Sequence, residues 1–544
     1  MLRVLVCLWL VAACWAEQPG RARQVPAASY RISGKVVDSL SGEPLGQVEV
    51  GVSFIENSGT TRNLTAQTLT KDDGQFAFEN LRAGKYSLAA QKRGYGLQAF
   101  DQHGSFATAI AAGPNLTSDG LVFRLQPQAS IVGRILDEEH EAVPNAAISL
   151  YATRAQDGVR HQRDIRGATT DDQGSFRMSH LQPGSYYLTV TARPWYADNH
   201  PQPGGSGPIE PSLFDVTYPV TYYGDVTDAS QATPIAIHPG ERSEIIVNLT
   251  AVPAGHIRIL VPNSNPQSTQ ITLTKPQIDG SERAVPVEVA DAGDGRLDLS
   301  GIPPGEVHLK LQAIQGGGQE KHYAAIDVSG NRDVDTSGSS PFASVTGVLR
   351  LAGYAQFSSQ IAVRLQSRTS ELALDAPVSA DGDFDFQEQD VPPGRYDVLL
   401  TNAPGMVVSG VAATGATAGG QSIEIRGQTQ VRLVVLAARE YARVDGIALR
   451  GGKPAPGAMI LLVPQNMDEE YARVRRDQSD SDGTFSLFLV VPGKYTVLAI
   501  DDGWDLEWAS PSVLRPYMAE GTPVQVTANS THRIEAKVQS LTKP

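Results

Sequence analysis

The chain has 544 residues, 45 of them basic and 59 acidic, for a formal net charge of −14, and 41% of it is hydrophobic. That length is too great for one hydrophobic core, since cores stop growing at roughly 250–300 residues, and the composition is that of folded rather than disordered material. The acidic balance, with no Lys/Arg cluster long enough to follow a phosphate backbone, sets nucleic acid aside as a partner.

In chain order, the first element is a targeting segment. Met1-Leu2-Arg3 gives a positive start, and Val4 to Ala13 is an apolar run too short to span a bilayer. Residues 1–16 therefore read as a secretory signal peptide. Two exits are open: cleavage after Cys14-Trp15-Ala16, or a lipobox-like Val11-Ala12-Ala13-Cys14 in which Cys14 carries a lipid. Both cysteines, Cys7 and Cys14, fall in this leader, so no disulfide is expected in the exported chain and each domain must rest on an apolar core. No later stretch approaches 18 uninterrupted apolar residues, so membrane contact is expected only through an N-terminal lipid. The expected location is outside the cytoplasm of a bacterium: secreted, periplasmic, or associated with the outer membrane or cell surface.

One pattern then recurs five times. The first copy reads Asp73-Gly74-Gln75-Phe76-x-Phe78, Leu81, Ala83-Gly84-Lys85-Tyr86. The second reads Gly174-Ser175-Phe176-x-Met178, Leu181, Pro183-Gly184-Ser185-Tyr186. The third is degenerate, with Asp294-Gly295-Arg296-Leu297 and Pro304-Gly305-Glu306-Val307. The fourth has Asp381-Gly382-Asp383-Phe384-x-Phe386 and Pro393-Gly394-Arg395-Tyr396, and the fifth Asp482-Gly483-Thr484-Phe485-x-Leu487 and Pro492-Gly493-Lys494-Tyr495. The period of about 100 residues is domain-sized rather than solenoid-sized. Asp-Gly is a hairpin turn, because Gly takes positive φ without steric cost. Phe-x-Phe has the period of a strand with one buried face, and Pro-Gly turns the chain into a second such strand beginning at Tyr.

Further alternating segments precede each copy, as in Ile32 to Asp38 and Val48 to Val52, and most copies end in one, as in Leu121 to Leu125. The sum is six or seven strands per 100 residues, the pattern of an immunoglobulin-like sandwich. No helix is expected. The fold class is all-β, a tandem array of about five Ig-like or transthyretin-like sandwiches, forming an elongated string. The expected units are 27–126, 127–252 (with a long loop insertion at 194–230), 253–330 (degenerate), 343–437 and 440–540. Gly316-Gly317-Gly318 and Ser337 to Ser340 serve as linkers around the third and fourth.

The full unit, Gly-x-Val-x-Asp, Glu-Pro-Leu, Asp-Gly-x-Phe-x-Phe and Leu-x-Pro-Gly-x-Tyr, resembles the carboxypeptidase regulatory-like domain, which is related to the B-type repeats of collagen-binding adhesins. The resemblance covers most of the chain and is weakest in the third copy. It implies a carbohydrate-binding-like fold, found as an accessory module beside peptidases, receptors and adhesins, and it implies no activity and no cofactor. Some B-type repeats carry a Lys–Asn isopeptide bond. Lys35 occupies a suitable first strand, but Arg134 and Val348 at the same place in copies two and four argue against one here.

The remaining chemical signals are sparse. His238-Pro239-Gly240-Glu241 has zinc-ligand spacing but lacks a third ligand and reads as a turn. Asp72-Asp73-Gly74 and Asp480-x-Asp482-Gly483 lack the closing Glu of a calcium loop and read as hairpins. No catalytic or metal-binding residue is assigned. Nine residues after the motif Tyr stand Tyr95, Trp195 and Trp504, with Tyr196 and Trp508 near by, and Gly316 and Gly405 in the other two copies. Aromatics on loops stack sugars, grip peptides or cap the core below them. The expectation is thus a monomeric, non-catalytic cell-envelope scaffold that binds or spaces. One alternative is a carbohydrate-binding protein using Tyr95, Trp195, Tyr196, Trp504 and Trp508; another is an accessory subunit of an envelope peptidase or transporter.

Overall fold

The protein is seen in a computed structural model that describes residues 29–540 except 57–60, 157, 199–212, 261–268, 294, 316–317, 331, 335–341, 354–355, 359, 369–371, 387–390, 427–429 and 440. The leader with Cys7 and Cys14, the linker positions Gly316, Gly317 and Ser337 to Ser340, and the middle of the 194–230 insertion lie outside the described residues.

The strands pair into five sandwiches of one design. In domain 1 the first strand, Tyr30–Asp38, lies between Gln75–Leu81 and Leu121–Leu125. The facing sheet runs Thr61–Leu69, Glu49–Ile55, Gly84–Lys92, Gly96–Ala99, with Ile110–Ala112 also on Gly84–Lys92. Each later unit repeats the central arrangement. Its first strand is antiparallel to the motif Phe or Leu strand and parallel to a closing strand, with Gly34↔Leu121, Gly133↔Ile245, Ile257↔Arg332, Gly347↔Leu433 and Gly446↔Ile534 as Cα partners. Parallel first and last strands send the chain in at one end of the sandwich and out at the other.

Every unit has its own apolar core, as domains that contain no cysteine require. In domain 1 the core includes Ile32, Val50, Phe76, Tyr86, Leu88 and Phe123; in domain 4, Val345, Val363, Phe384, Phe386, Tyr396 and Leu433. A fully buried side chain of this size contributes about 1.5–3 kcal/mol, so cores of eleven or more buried residues stand in for covalent staples.

Two expectations are corrected. Domain 5 contains short helices, Met467–Glu470 and Pro511–Met518, the second begun by Pro511 at the position where a missing N–H costs nothing. The reason lies in the strand beneath. Met459–Pro464 is buried on both faces, so its outer residues Met459 and Leu461 need a cover, supplied by Trp508, Leu514 and Tyr517. Nor do the domains form an open string, because domain 5 folds back against domains 1, 2 and 4 through the contacts described next.

Candidate binding surface

The repeat signature is consumed by folding. The motif tyrosines make one corner four times: Tyr86 donates to the Arg82 carbonyl (3.0 Å), Tyr396 to Pro392 (2.7 Å), Tyr495 to Val491 (2.7 Å), and Tyr186 to Gln182. Burial pushes the Tyr396 and Tyr495 phenols up to about 12, so they stay donors. The turn glycines have positive φ, and their carbonyls accept from the first strand: Gly74 from Val36, Gly174 from Ile135, Gly382 from Leu349 and Gly483 from Ala448. A Cβ on Gly74, Gly174 or Gly382 would come within 2.5–2.6 Å of a first-strand carbonyl, which doubly excludes other residues. One recurring residue escaped the sequence reading. Four positions before the turn glycine, the hydroxyls of Thr70, Thr170 and Ser479 each bind a carbonyl (Leu45, Val143, Ala455) and accept an N–H (Val48, Ala146, Ala458). The Thr/Ser four before Gly in copies one, two and five was the available signal.

The fifth copy's Asp-x-Asp-Gly turn is a joint between domains 5 and 1. Lys85, from the Gly-Lys-Tyr motif of domain 1, pairs with Asp480, so an ammonium sits where a cation loop would need a metal. Asp482 is spent on its own turn, accepting the Thr484 N–H and hydroxyl. Around the pair, Ala109 N–H donates to Asp480, Ala111 N–H to the Ser481 hydroxyl, Ser481 N–H to Ala109, and the Gln478 amide to Asp101 and Thr108. Burial, more than any neighbour, raises Asp480 above the usual carboxylate range. It raises Asp477 to about 7, opposed by the Ser486 N–H and reinforced by Asp480.

On another side of domain 5, the carbonyls of Asp468 and Glu469 accept from domain 4. Arg368 (3.1 Å) and Arg395 reach Asp468, and Ser422 (3.2 Å) reaches Glu469, while the Arg368 guanidinium lies over the Tyr471 ring. Cations at the end of a short helix match its exposed carbonyls. Domains 2 and 3 are joined by a buried charged group in which His256 Nε2 lies 2.6 Å from Asp215 and Nδ1 lies 3.9 Å from Asp298, itself 3.7 Å from Arg258.

The five sequence-selected aromatics are not brought together. Tyr95 is half-buried on the core of domain 1 and donates to Asp38 (2.8 Å). Trp504 stacks on His103 of domain 1 (4.9 Å between centroids, 9° between planes), with Phe106 at 5.8 Å. Trp508 is 3% exposed and packs on Tyr471 and against Gly158 of domain 2, where an added Cβ would stand 2.3 Å from the indole. Trp504 and Trp508 are therefore joint residues, a correction to their expected role as ligand contacts. Trp195 alone is open, at 85% exposure, set edge-on to Tyr196 (5.7 Å, 87°). The Tyr196 hydroxyl binds Glu138, whose second oxygen accepts from Tyr218 (3.2 Å).

His238 and Glu241 bond one another (2.9 Å) on an exposed turn. Among the described residues no group of three His, Cys, Asp or Glu side chains is placed to hold a metal, and no helix is long and apolar enough to cross a membrane.

Strand order, turn glycine and tyrosine corner together define one class of β-sandwich domain. Residues 31–114 and 130–200, which fall in the first two sandwiches, match the carboxypeptidase regulatory-like domain. No curated protein matches the chain. Among solved structures it is similar to GBS52, the minor pilin of Streptococcus agalactiae (14% identity, covering 41% of this chain and 97% of the pilin, TM-score 0.21). It is also similar to the Bacillus anthracis TIE protein (10%, 96% and 76%, 0.17) and to BcpA, the major pilin subunit of Bacillus cereus (11%, 75% and 99%, 0.13). Scores this low carry no functional information.

Proposed function

We propose that the chain is a non-catalytic scaffold of the bacterial cell envelope that acts by binding, its five domains holding a surface in place rather than performing a reaction. The observation that carries this reading is the fate of the repeated polar residues. The corner tyrosines, the turn aspartates and the Thr/Ser hydroxyls end on backbone or on a neighbouring domain. A repeat whose polar groups are spent on its own architecture supports a mechanical and recognition role. The acidic surface keeps such a large particle soluble, and the leader sequence supports export.

Fractionation of cells producing the tagged full chain tests this. Recovery in the exported or envelope fraction, cross-linked to a defined partner on intact cells, is expected. A cytoplasmic pool without a leader-dependent shift would overturn it. Fatty-acid labelling of wild type against Cys14→Ser decides the anchoring: label lost in the variant marks a lipoprotein, and no label in either marks a freely exported chain.

A further inference from the structure

We propose that Trp195 and the acidic turn Asp137 to Glu141 of domain 2 form a docking surface for a basic segment of a partner protein, a lysine or arginine side chain lying on the indole face. The inference rests on the binding role proposed above and names the chemistry of the partner.

Single exposed apolar residues are ordinary, but here three stand on two segments that are bonded together. Trp195 is 85% exposed, Leu213 93% and Phe214 55%, and the Asp198 N–H donates to the Phe214 carbonyl (2.8 Å), joining the two segments that carry them. The residues beneath the ring are fixed. Tyr196, on whose ring Trp195 rests, is fixed through its hydroxyl to Glu138, and Glu138 is fixed again by Tyr218. The turn is equally set, with Asp137 accepting the N–H groups of Glu139 (3.0 Å) and Glu141 (2.8 Å). A platform already immobilised loses little entropy on binding.

The charge around the ring selects the ligand. Glu138, Glu139 and Glu141 are exposed acids on this turn, and Asp198 follows the aromatic pair. The basic side chain beside them, Arg193, is bound to Glu288 of domain 3 (3.1 Å) and to the Ala197 carbonyl. Negative potential therefore remains at Tyr196, the ring against which Trp195 is set. The Tyr196 phenol registers it: it is pushed up to about 12 by burial first, then by Glu138, Asp137 and Glu139. A neutral sugar would use the ring and gain nothing from that potential. An ammonium or guanidinium uses both, since Trp is the best of the rings for a cation and nearby carboxylates add to the attraction.

The test uses the full chain and a hexalysine peptide at low ionic strength. Binding that weakens as salt rises is expected, with about a two- to fivefold loss in Trp195→Ala, the weight of one exposed cation–ring contact, and a smaller loss in Glu139→Gln. Caesium should quench the emission difference between wild type and Trp195→Phe better than iodide does. Absence of peptide binding, or binding unchanged in Trp195→Ala, would overturn the proposal. So would retention on a neutral polysaccharide that Trp195→Ala abolishes, which would assign the ring to a sugar. None of these results moves the fractionation experiment, so the scaffold reading stands or falls separately.

Discussion

Trp195 and Trp504 occupy the same place in their repeats, nine residues after the corner tyrosine, and have opposite fates. In domain 2 the indole stands in solvent beside an acidic turn; in domain 5 it is stacked on His103 of domain 1. The surroundings decide this rather than the loop itself. Domain 5 has a strand, Met459–Pro464, that is apolar without interruption, and its outer face gathers Trp508, Leu514, Tyr517 and the neighbouring domains. The corresponding strand of domain 2, Ala147–Gln156, instead carries Ser149 and Tyr151 on its outer face, where they bond Arg283 and Gln277 of domain 3. A repeat thus keeps its frame and changes its use by what one sheet face demands.

The contrast is broken most severely at Trp508. Trp508→Ala should destabilise domain 5 by about 3–5 kcal/mol, as truncation of a fully buried large aromatic does, whereas Trp195→Ala should change stability by less than about 0.5 kcal/mol. Differential scanning calorimetry of both variants checks the difference, and equal effects would refute it. Next comes the joint with domain 1, where Asp477 carries a carboxyl raised to about 7, mainly by burial. An acid with a folded value above its ordinary 3.8 binds its proton more tightly in the folded state. Its stabilising share is full below pH 4 and is lost as pH climbs through about 7. Domain 5 should thus melt lower at pH 8 than at pH 6, and Asp477→Asn should flatten that slope over roughly this window. A slope unchanged in the variant would remove Asp477 as its source. The smallest effect is at the corners: Tyr495→Phe, which leaves the buried Val491 carbonyl without its donor, should cost about 1–2 kcal/mol. The third repeat lives without this bond, Val307 being fully buried in the corner position, so Val307→Tyr should bring no matching gain in a melting curve.

Much of the fold was legible because its signals are local. Asp73-Gly74 and Pro183-Gly184 fix turns through backbone geometry, and Phe76 and Phe78 fix a buried face by alternation, without reference to distant residues. The joints were not legible, because Lys85 and Asp480 are 395 positions apart and neither motif differs from its sister copies in a way that marks a partner. Trp504 was misjudged for the same reason, its spacing being identical to that of Trp195. The Pro511–Met518 helix is only two turns long and contains Pro516, so its residue pattern gave no helical period. The unbroken apolar run Met459 to Val463 was the available signal of a strand covered on both faces, and the sequence reading took it only as one more repeat strand.

The parallel pairing of first and last strands has a mechanical side. Tension applied to the two ends of one sandwich draws Tyr30–Asp38 and Leu121–Leu125 past each other along their length, so the ladder joining Gly34 to Leu121 through Asp38 to Leu125 is loaded all at once. Bonds loaded together in shear resist far more than bonds opened one after another. Stretching the whole chain should first part the Lys85–Asp480 joint, held by one ion pair and a handful of hydrogen bonds, and only then strain the ladders. The molecule would yield in two stages, paying out length early while every sandwich stays folded.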